Sequence, residues 1–401
     1  MKIALYHNLP SGGALYHFSQ VAQALSEAGH ELHLYTPETS EAGFVELKSF
    51  VTHHVLLPRD SWHQGFFLWN PWRYRNYLKK CLNEEAEWAK LIAKENFDGI
   101  YCGQCRVWTE PPLLRFLPKS LPKVLYCQEP KRSFYEDRFL KQMSAWPWWK
   151  KIWRLPTVNW MKEQMALHIS CADMVLCNSE FSKHKIAKAY PKIQGQTSYI
   201  GVDTEDFCPC PLTPVKPQIL TVGALDPSKN HNFSLEVAAL KPAGIELDVV
   251  VVTDRSYGDT AKQLLHLAQT LGVNLAFRER VSRAELVQLY RSSLATVYAP
   301  LEEPFGIVSI ESQACGTPVI GVAEGGILET LRDGVGGFLV KRSIAEAAEK
   351  CARLLKEPKL RSLLSAQARE HVLAHWQKKE RIAKTVGMIE GAMNRNEKAK
   401  H

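Results

Sequence analysis

The sequence predicts an α/β protein built from two doubly wound domains that face a central cleft. Two observations support this prediction. Short apolar segments of strand length alternate with segments of helical periodicity along most of the 401 residues. This pattern is typical of parallel sheets that are covered by helices on both faces. The alternation is interrupted once, by a proline-rich stretch, and then restarts. A chain of this length has room for two such domains.

The amino-terminal half begins as strand, turn, helix and strand. Ile3 and Leu5 belong to a short apolar strand, and a turn at residues 10–13 leads into a helix that Gly29 is suited to end. The strands predicted after that helix are residues 30–35, 99–102, 124–127 and 174–177. We assign residues 1–205 to the first domain.

A run of prolines marks the boundary between the domains. Residues 206–217 contain Pro209, Pro211, Pro214 and Pro217, and a residue that precedes proline is restricted to extended conformations. This stretch is therefore predicted to be a linker. The second domain, residues 218–375, has predicted strands at 218–222, 247–252, 275–277, 295–298 and 319–322. Folds of this kind bind ligands at the carboxyl ends of their strands and in clefts between domains.

The composition excludes several classes of protein. Hydrophobic residues make up 45% and charged residues 23%, as in globular chains and unlike disordered or collagen-like ones. No apolar run is long enough for a transmembrane helix or a secretory signal. The ten cysteines include Cys102 with Cys105 and Cys208 with Cys210, but no histidine pair accompanies them at zinc-finger spacing. We therefore expect a reduced, cytoplasmic protein.

The net charge of +8 is concentrated in two segments. Residues 131–154 carry +5 and residues 376–401 carry +4, so the rest of the chain is near −1. Such blocks are usually solvated surfaces and only sometimes binding surfaces. No nucleic-acid recognition motif accompanies them, so we expect no nucleic-acid partner.

Tryptophan is concentrated in the first of these basic segments. We call residues 146–154 the aromatic-basic segment, and its members are Trp146, Trp148, Trp149, Lys150, Lys151, Trp153 and Arg154. A second aromatic cluster with interleaved basic residues lies between Trp62 and Lys80. Tryptophan favours membrane interfaces, and lysine and arginine attract anionic headgroups. Two interpretations stay open: docking of a lipid-linked or polyanionic acceptor at a membrane, or tryptophans that fill the core or line a sugar-binding groove.

The stretch from Tyr298 to Val340 contains the most informative motif. Pro304 and Gly306 punctuate a loop that opens a helix at residues 306–314. The first-turn amides of Gly306, Ile307 and Val308 have no acceptor within the helix, and together with the helix dipole they suit a diphosphate.

Two glutamates flank that helix terminus. Glu303 precedes it and Glu311 lies two turns along the helix. A carboxylate that accepts two hydroxyl donors suits a sugar or a ribose. Gly325 and Gly326, which follow the next strand, are predicted to let backbone approach a ligand closely.

These residues make the chain similar to a known family. The block EPFGIVSIESQACGTPVI, followed by a glycine pair and by DGVGGFLV, resembles retaining glycosyltransferase family 4, whose GT-B architecture consists of two Rossmann-like domains. The resemblance extends over most of the chain and includes Gly12-Gly13, the segment 178–181, the segment 200–203 with Phe207, and Val222-Gly223 with Lys229.

The resemblance implies a role for each matching residue. Glu311 would hold the ribose of a nucleotide-sugar donor, and Lys229 would neutralise the diphosphate and stabilise its departure. The other donor-binding residues that it implies are Gly12, Gly13, Gly223, Arg280, Val281, Glu303, Phe305, Gly306, Ile307 and Val308. Glu303, Lys229 and Gln128 would act in catalysis. The family implies no cofactor and no metal, and it implies that residues 376–401 cross back onto the first domain.

Two positions depart from the family pattern. Ala224 stands where an arginine usually follows the glycine of the VGR segment, so one phosphate-binding cation is missing. Arg255 and Arg280 are candidates to replace it. In the segment from Tyr126 to Arg132, which resembles that of mannosyltransferases, Gln128 replaces a histidine. Glutamine can hydrogen bond to a sugar hydroxyl but cannot carry a proton near neutral pH.

The sequence therefore predicts a retaining hexosyltransferase. The donor would be a GDP- or UDP-linked sugar, with mannose favoured by the Tyr126–Arg132 segment, and the acceptor a polysaccharide, such as lipopolysaccharide, or a lipid-linked glycan. The expected location is the cytoplasm, with peripheral binding to the inner face of the membrane. Two alternatives remain: a catalytically silent glycan-binding or scaffold protein, suggested by Ala224 and Gln128, and a nucleotide-sugar epimerase, which the replacement at Gln128 disfavours.

Overall fold

The computed structural model of the protein describes residues 1–9, 12–40, 47–59, 70–254 and 258–398. Within these residues the chain forms two compact units. The first comprises Met1–Tyr199 with the described residues from Ile382 onward, and the second comprises Ile200–Arg381. Residues 206–217 belong to the second unit, where Arg291 Nε donates to the carbonyl of Cys208 at 2.6 Å.

The first unit contains a parallel sheet of seven strands in the order β3-β2-β1-β4-β5-β6-β7. Its strands are β1 (Lys2–Asn8), β2 (Glu31–Pro37), β3 (His53–Leu57), β4 (Gly99–Cys105), β5 (Lys123–Tyr126), β6 (Met174–Cys177) and β7 (Gly195–Thr197). Its helices are α1 (Gly13–Glu27), α2 (Pro71–Ala93), α3 (Leu113–Phe116), α4 (Arg132–Tyr135), α5 (Asp137–Ser144), α6 (Trp148–Ile169) and α7 (Glu180–Ala189). A 3₁₀ turn covers Leu47–Phe50.

Alternate residues of the central strand β1 face two different cores. Ile3 and Leu5 pack in a cluster with the apolar face of α1, whereas Ala4 and Tyr6 pack in a cluster with α2 and α6. Since successive side chains of a strand point to opposite faces, both faces of this sheet are covered.

The second unit contains a parallel sheet of six strands in the order β10-β9-β8-β11-β12-β13. Its strands are β8 (Lys216–Val222), β9 (Asp248–Thr253), β10 (Leu275–Glu279), β11 (Ser293–Tyr298), β12 (Val319–Val322) and β13 (Gly337–Val340). Its helices are α8 (Asn232–Ala239), α9 (Thr260–Leu271), α10 (Arg283–Ser292), α11 (Ile307–Ala314), α12 (Ile327–Thr330), α13 (Ile344–Lys356) and α14 (Pro358–His375). A 3₁₀ turn covers Pro227–Lys229.

The last helix, α15 (Lys378–Lys398), packs on the first sheet. Ile382, Val386, Ile389 and Met393 recur at intervals of three or four residues and are buried in the same cluster as Ile3 and Leu5. Among the described residues, no helix has both the length and the hydropathy that crossing a bilayer requires.

In each sheet the strand order reverses at a defined point. The chain leaves β1 toward β2 and β3 and later returns to the other side of β1 with β4, and the same reversal separates β8 from β11. Loops that follow the strands on the two sides of such a point diverge, which leaves a crevice at their carboxyl ends. Most of the predicted site residues of the second unit follow β8 and β11, and Arg280 and Val281 follow β10.

Candidate active site

Two loops meet at the reversal point of the second sheet. Residues 223–230 follow β8 and residues 299–306 follow β11. The amide of Leu301 donates to the carbonyl of Ser228 at 2.7 Å, and the side-chain amide of Asn230 donates to the carbonyl of Ala299 at 3.3 Å. These bonds fix the two loops against one another and so fix the side chains that they carry.

Lys229 and Glu303, both predicted as catalytic, form an ion pair across these loops. The ammonium of Lys229 lies 2.8 Å from Oε1 and 2.7 Å from Oε2 of Glu303. Both side chains remain partly exposed, at 28% and 21%. The two groups therefore neutralise one another, and both side chains stay accessible to solvent.

Gly223 makes room for the Lys229 side chain. Its φ of 154° lies in a region that favours glycine, and a Cβ there would sit 3.3 Å from Cγ of Lys229. The ammonium can therefore reach Glu303 because the end of β8 carries no side chain at this position.

Gly325 and Gly326 pack against the loop that carries Glu303, rather than leaving open space for a ligand. A Cβ on Gly325 would lie 2.5 Å from the carbonyl oxygen of Glu303, and one on Gly326 would lie 2.3 Å from that of Pro304. The amide of Gly326 donates to the Glu303 carbonyl at 2.8 Å. The backbone at Gly325 and Gly326 thus closely approaches the backbone of the Glu303 loop rather than a ligand, and this contact positions Glu303.

Arg342, which the sequence did not indicate, braces the same loop. Its guanidinium donates to the carbonyls of Ala299 and Pro300 at 2.9 and 3.0 Å and pairs with Glu324, with a shortest distance of 2.6 Å. It thereby joins the segments that follow β11 and β12. Sequence spacing could not reveal this role because the partners of Arg342 lie 18 to 43 residues away along the chain.

Helix α11 begins one residue later than predicted, at Ile307. Gly306 precedes it with φ of 99°, and a Cβ there would meet Thr330 and Tyr298 at 3.3 and 3.5 Å. Ile307 and Val308 are partly exposed, whereas the Phe305 side chain is buried against the Trp376 ring. The first-turn amides are therefore presented beside the loop of Glu303, where an anion could bind.

Glu311 lies farther along α11 and accepts a hydrogen bond from the Tyr290 hydroxyl at 2.9 Å. Burial raises the pKa of Glu311 to about 7, while the hydrogen bond from Tyr290 opposes this shift. The carboxyl group therefore becomes ionised at a higher pH than an exposed glutamate does. Tyr290 is fully buried on α10 and was missed by sequence reasoning, because only the fold brings α10 and α11 together.

Arg280 and Val281 follow the edge strand β10, two strands away from β8. Arg280 has φ of 50°, and its amide donates to the carbonyl of Thr253 at the end of β9. These residues thus lie at the same carboxyl edge of the sheet as Lys229, at its periphery. Arg255, the other candidate to replace the missing arginine, lies outside the described residues.

The first unit places its predicted residues at the carboxyl ends of its own strands. Gly12, with φ of 137°, precedes α1 after β1, and Gly13 begins that helix. Gln128 follows β5. Its backbone N–H donates to Oε1 of Gln104, which lies 3.1 Å away at the end of β4. Gln104 also donates to the Glu129 carbonyl at 2.7 Å, so it braces the segment that carries Gln128.

Two further ionisable groups belong to this region: Glu110, which is buried, and Lys131, which is partly exposed and lies in the Tyr126–Arg132 segment itself. Burial raises the pKa of Glu110 to about 8 and lowers the pKa of Lys131. The ammonium of Lys131 donates to the Val107 carbonyl at 3.0 Å. Cys102 and Cys105 are likewise buried, on β4, and their pKa values are raised by burial.

The aromatic-basic segment forms the exposed start of α6. The exposed fractions are 74% for Trp148, 55% for Trp149 and 56% for Trp153. Ile152, at 65%, completes one face because these four residues recur at helical spacing. Core filling is therefore the wrong interpretation for these tryptophans. Trp160, by contrast, is partly buried and packs edge-on against the buried Trp108.

A groove of about 330 Å³ lies beside this face. It is lined by Trp72, Arg75, Ile152, Trp153, Pro156 and Thr157. Elsewhere in the aromatic-basic segment, the charged groups of Lys150 and Arg154 lie 4.9 and 5.5 Å from the ring centre of Trp146. Residues 62–69 of the second aromatic cluster lie outside the described residues.

Two family models match this chain. Glycosyltransferase Family 4 matches residues 11–206, and Glycosyl transferases group 1 matches residues 211–371. A D-inositol 3-phosphate glycosyltransferase of Mycolicibacterium gilvum is 33% identical over 184 residues, 42% of this chain and 41% of the relative. The chain thus spans between about two fifths and one half of the curated relatives that it matches.

Solved structures share the fold over the whole chain. Sucrose-phosphate synthase from Thermosynechococcus elongatus has a TM-score of 0.76 at 18% identity, with both chains fully covered. Anabaena HepE in complex with UDP has a TM-score of 0.72 at 15% identity, covering 98% of this chain and all of the other. At these identities the likeness shows the two-domain, Rossmann-like GT-B fold.

Proposed function

Because the chain belongs to the glycosyltransferases of family 4 and group 1, we propose that it is a retaining enzyme that transfers a hexose from a nucleotide-diphospho-sugar to a glycan or a lipid-linked acceptor. The observation that carries the proposal is the Lys229–Glu303 pair beside the amino terminus of α11. A cation and helix amides at one strand-order reversal are suited to a diphosphate leaving group.

Donor binding would exchange the partners of these groups. The diphosphate would take the place of Glu303 beside the Lys229 ammonium, and its oxygens would accept from the amides of Ile307 and Val308. Glu303, once released from Lys229, would accept hydrogen bonds from hydroxyls of the donor sugar. Glu311 would accept hydrogen bonds from the ribose hydroxyls. No bound metal is needed in this scheme because Lys229 and the helix amides balance the charge.

In the transfer step the bond between the anomeric carbon and the phosphate oxygen breaks, and the acceptor oxygen bonds to the same face of that carbon. The acceptor hydroxyl proton passes to the departing phosphate oxygen, so no general base is required. This agrees with Gln128, which can hydrogen bond to a sugar but cannot carry the proton.

A donor screen tests this function. The full chain is heated with GDP-, UDP-, ADP- and dTDP-linked sugars, and the donor that binds will raise Tm as binding stabilises the folded state. We expect a GDP- or UDP-linked hexose, with mannose first on the evidence of the Tyr126–Arg132 segment. Release of nucleoside diphosphate is then measured with that donor.

The same assay separates the two alternatives. A donor that binds but releases no nucleoside diphosphate, with any glycan acceptor, would identify a catalytically silent binding protein. If the donor were converted to an epimer, as measured by chromatography of the sugar, the protein would be an epimerase. Either result would overturn the transferase proposal.

We further propose that the aromatic-basic segment places the enzyme on the cytoplasmic face of an anionic membrane, where a lipid-linked acceptor would enter the groove at Trp72 and Trp153. The support is the exposed apolar face of α6 together with Lys150, Lys151 and Arg154. Tryptophan side chains suit the headgroup region, and each nearby basic residue adds about 1 kcal/mol of attraction.

Charge reversal tests the membrane proposal. The triple variant K150E/K151E/R154E should lose about 100-fold or more in binding to vesicles that contain phosphatidylserine, measured by co-sedimentation. The control K262E/K356E/K359E changes the net charge equally at exposed positions of the second unit, and its binding should change little. Equal binding by both variants would exclude the segment as a membrane contact.

A further inference from the structure

Two histidines and a glutamate cluster at the amino ends of β2 and β3. Glu31 and His33 lie two residues apart on β2 and therefore share a face of the sheet. His53 on β3 is the register partner of His33 in the parallel pair, and the two rings lie 4.4 Å apart. One ligand atom from each of the three residues lies within 4.8 Å of the other two.

The geometry suits a small cation. Ligand atoms about 2.0–2.1 Å from a tetrahedral ion lie about 3.3 Å from each other, so small side-chain rotations would close this cluster. His33 is buried, and the edge of the Phe97 ring packs against it at 5.2 Å, which fixes its imidazole. Glu31 and His53 are exposed and can rotate toward it.

The charge of the cluster also favours a cation. Nε2 of His33 lies 2.7 Å from Oε1 of Glu31. Lys2 is the register partner of Glu31 on β1, and its ammonium pairs with Glu95 at 2.7 Å. The negative charge of Glu95 offsets the positive charge of Lys2, so with neutral imidazoles the cluster keeps the single negative charge of Glu31.

We propose that Glu31, His33 and His53 form a binding site for a divalent transition-metal ion of the zinc class. Two imidazole nitrogens and one carboxylate oxygen are a common zinc donor set and leave a fourth position for water. The cluster lies at the amino ends of the strands, whereas Gly12 and Gln128 follow their carboxyl ends. The ion would therefore not take part in transfer; it would tie the edge strand β3 to β2.

Zinc titration of the full chain, prepared without a histidine tag, tests the site. Isothermal titration should show one zinc ion bound per chain at this cluster, and H53A should bind it at least about 10- to 100-fold more weakly, the loss typical even of an outer-shell partner. Zinc should also raise Tm of the unaltered protein and leave that of H53A unchanged. E31Q should weaken binding without removing a core side chain, because Glu31 is exposed.

A second histidine pair provides the matched control. His371 and His375 lie one turn apart on α14, with rings 5.0 Å apart, and could chelate zinc adventitiously. H375A should therefore bind zinc as the unaltered protein does. Cobalt added in place of zinc should give visible d–d bands without the near-ultraviolet charge-transfer band of a thiolate ligand. Loss of binding in H375A, undiminished binding in H53A, or a thiolate band would each overturn the proposal.

Discussion

Charged side chains are arranged differently in two regions of the molecule, the loops after β8 and β11 and the start of α6. In the second unit Lys229 is held by Glu303, and Arg342 is held by Glu324 and two carbonyls. In the first unit the aromatic-basic segment presents wide apolar surface with cations beside it. The former is organised before any ligand arrives, as a site for one fixed chemistry requires. The aromatic-basic segment is suited to contact a broad partner surface that has no single fixed geometry.

The comparison makes its strongest prediction at Lys229. K229A should lower kcat about 10²- to 10³-fold, the usual cost of removing one preorganised contact to a leaving group. Donor binding should weaken as well, because Glu303 would then meet the diphosphate without a cation between them. Steady-state release of nucleoside diphosphate measures both effects.

Vesicle binding should be the same in K229A and in the unaltered protein, because Lys229 lies in the second unit. A suitable control is K341A, which removes an exposed lysine of that unit, and its kcat should stay within about twofold. If K229A kept full kcat, the organised pair would be structural and the contrast between the two regions would disappear.

Much of the strand pattern could be predicted from the sequence because buried parallel strands are short apolar runs. The strands Met174–Cys177 and Val319–Val322 are confirmed at the predicted residues, and the others differ at their ends. The loop motif around Glu303 and the start of α11 were also predictable, since proline and glycine mark loops through their backbone preferences.

Long-range contacts could not be predicted in this way. Lys229 and Glu303 are 74 residues apart, and Tyr290 reaches Glu311 across 21 residues. Each pairing depends on which strands become neighbours, and spacing alone does not specify that. The same limit applies to tryptophan: Trp153 and Trp160 lie on one helix, but only packing leaves the first exposed and places the second, partly buried, against the core.

Glu311 should give the organised region a pH dependence. Its pKa of about 7 means that the carboxylate able to accept ribose hydroxyls forms as pH rises through neutrality. Donor affinity should therefore increase between pH 6 and pH 8 in the unaltered protein. E311Q cannot ionise, so its affinity should be about 10-fold lower at pH 8 and nearly constant over that range. Titration calorimetry at several pH values measures this.

Stability supplies an independent check on the same carboxyl group. A carboxyl whose pKa is raised by folding favours the folded state at low pH, and this contribution is lost as pH rises from about 4.5 through about 7. E311Q should therefore be more stable relative to the unaltered protein at pH 8 than at pH 5, measured by urea denaturation. Y290F should raise the Glu311 pKa further, and an unchanged pH profile in Y290F would contradict the assignment.

The exposed face of α6 should affect the acceptor and leave the donor unaffected. W148A/W149A/W153A should raise the KM for a lipid-linked acceptor several-fold, because about 100 Å² or more of apolar contact per side chain would be lost. The KM for the donor should not change. A control triple, L212A/L240A/L328A, removes exposed apolar side chains of the second unit and should leave the acceptor KM unchanged. A matching rise in the donor KM would show that the two regions are not independent.

The smallest effect is expected at Ala224, where the organised region lacks a cation that the family pattern contains. Residue 224 follows Gly223 at the end of β8, five residues before Lys229, and its carbonyl accepts from His231 at 3.1 Å. A224R keeps this backbone contact and adds a guanidinium at a partly exposed position. Donor affinity should increase about threefold to tenfold, the range of an added charge contact near solvent. A224Q, of similar length without charge, should give no increase. If A224R instead weakened donor binding, Lys229 and the amides of α11 would already balance the diphosphate, and Ala224 would be an adaptation of this site rather than a deficiency.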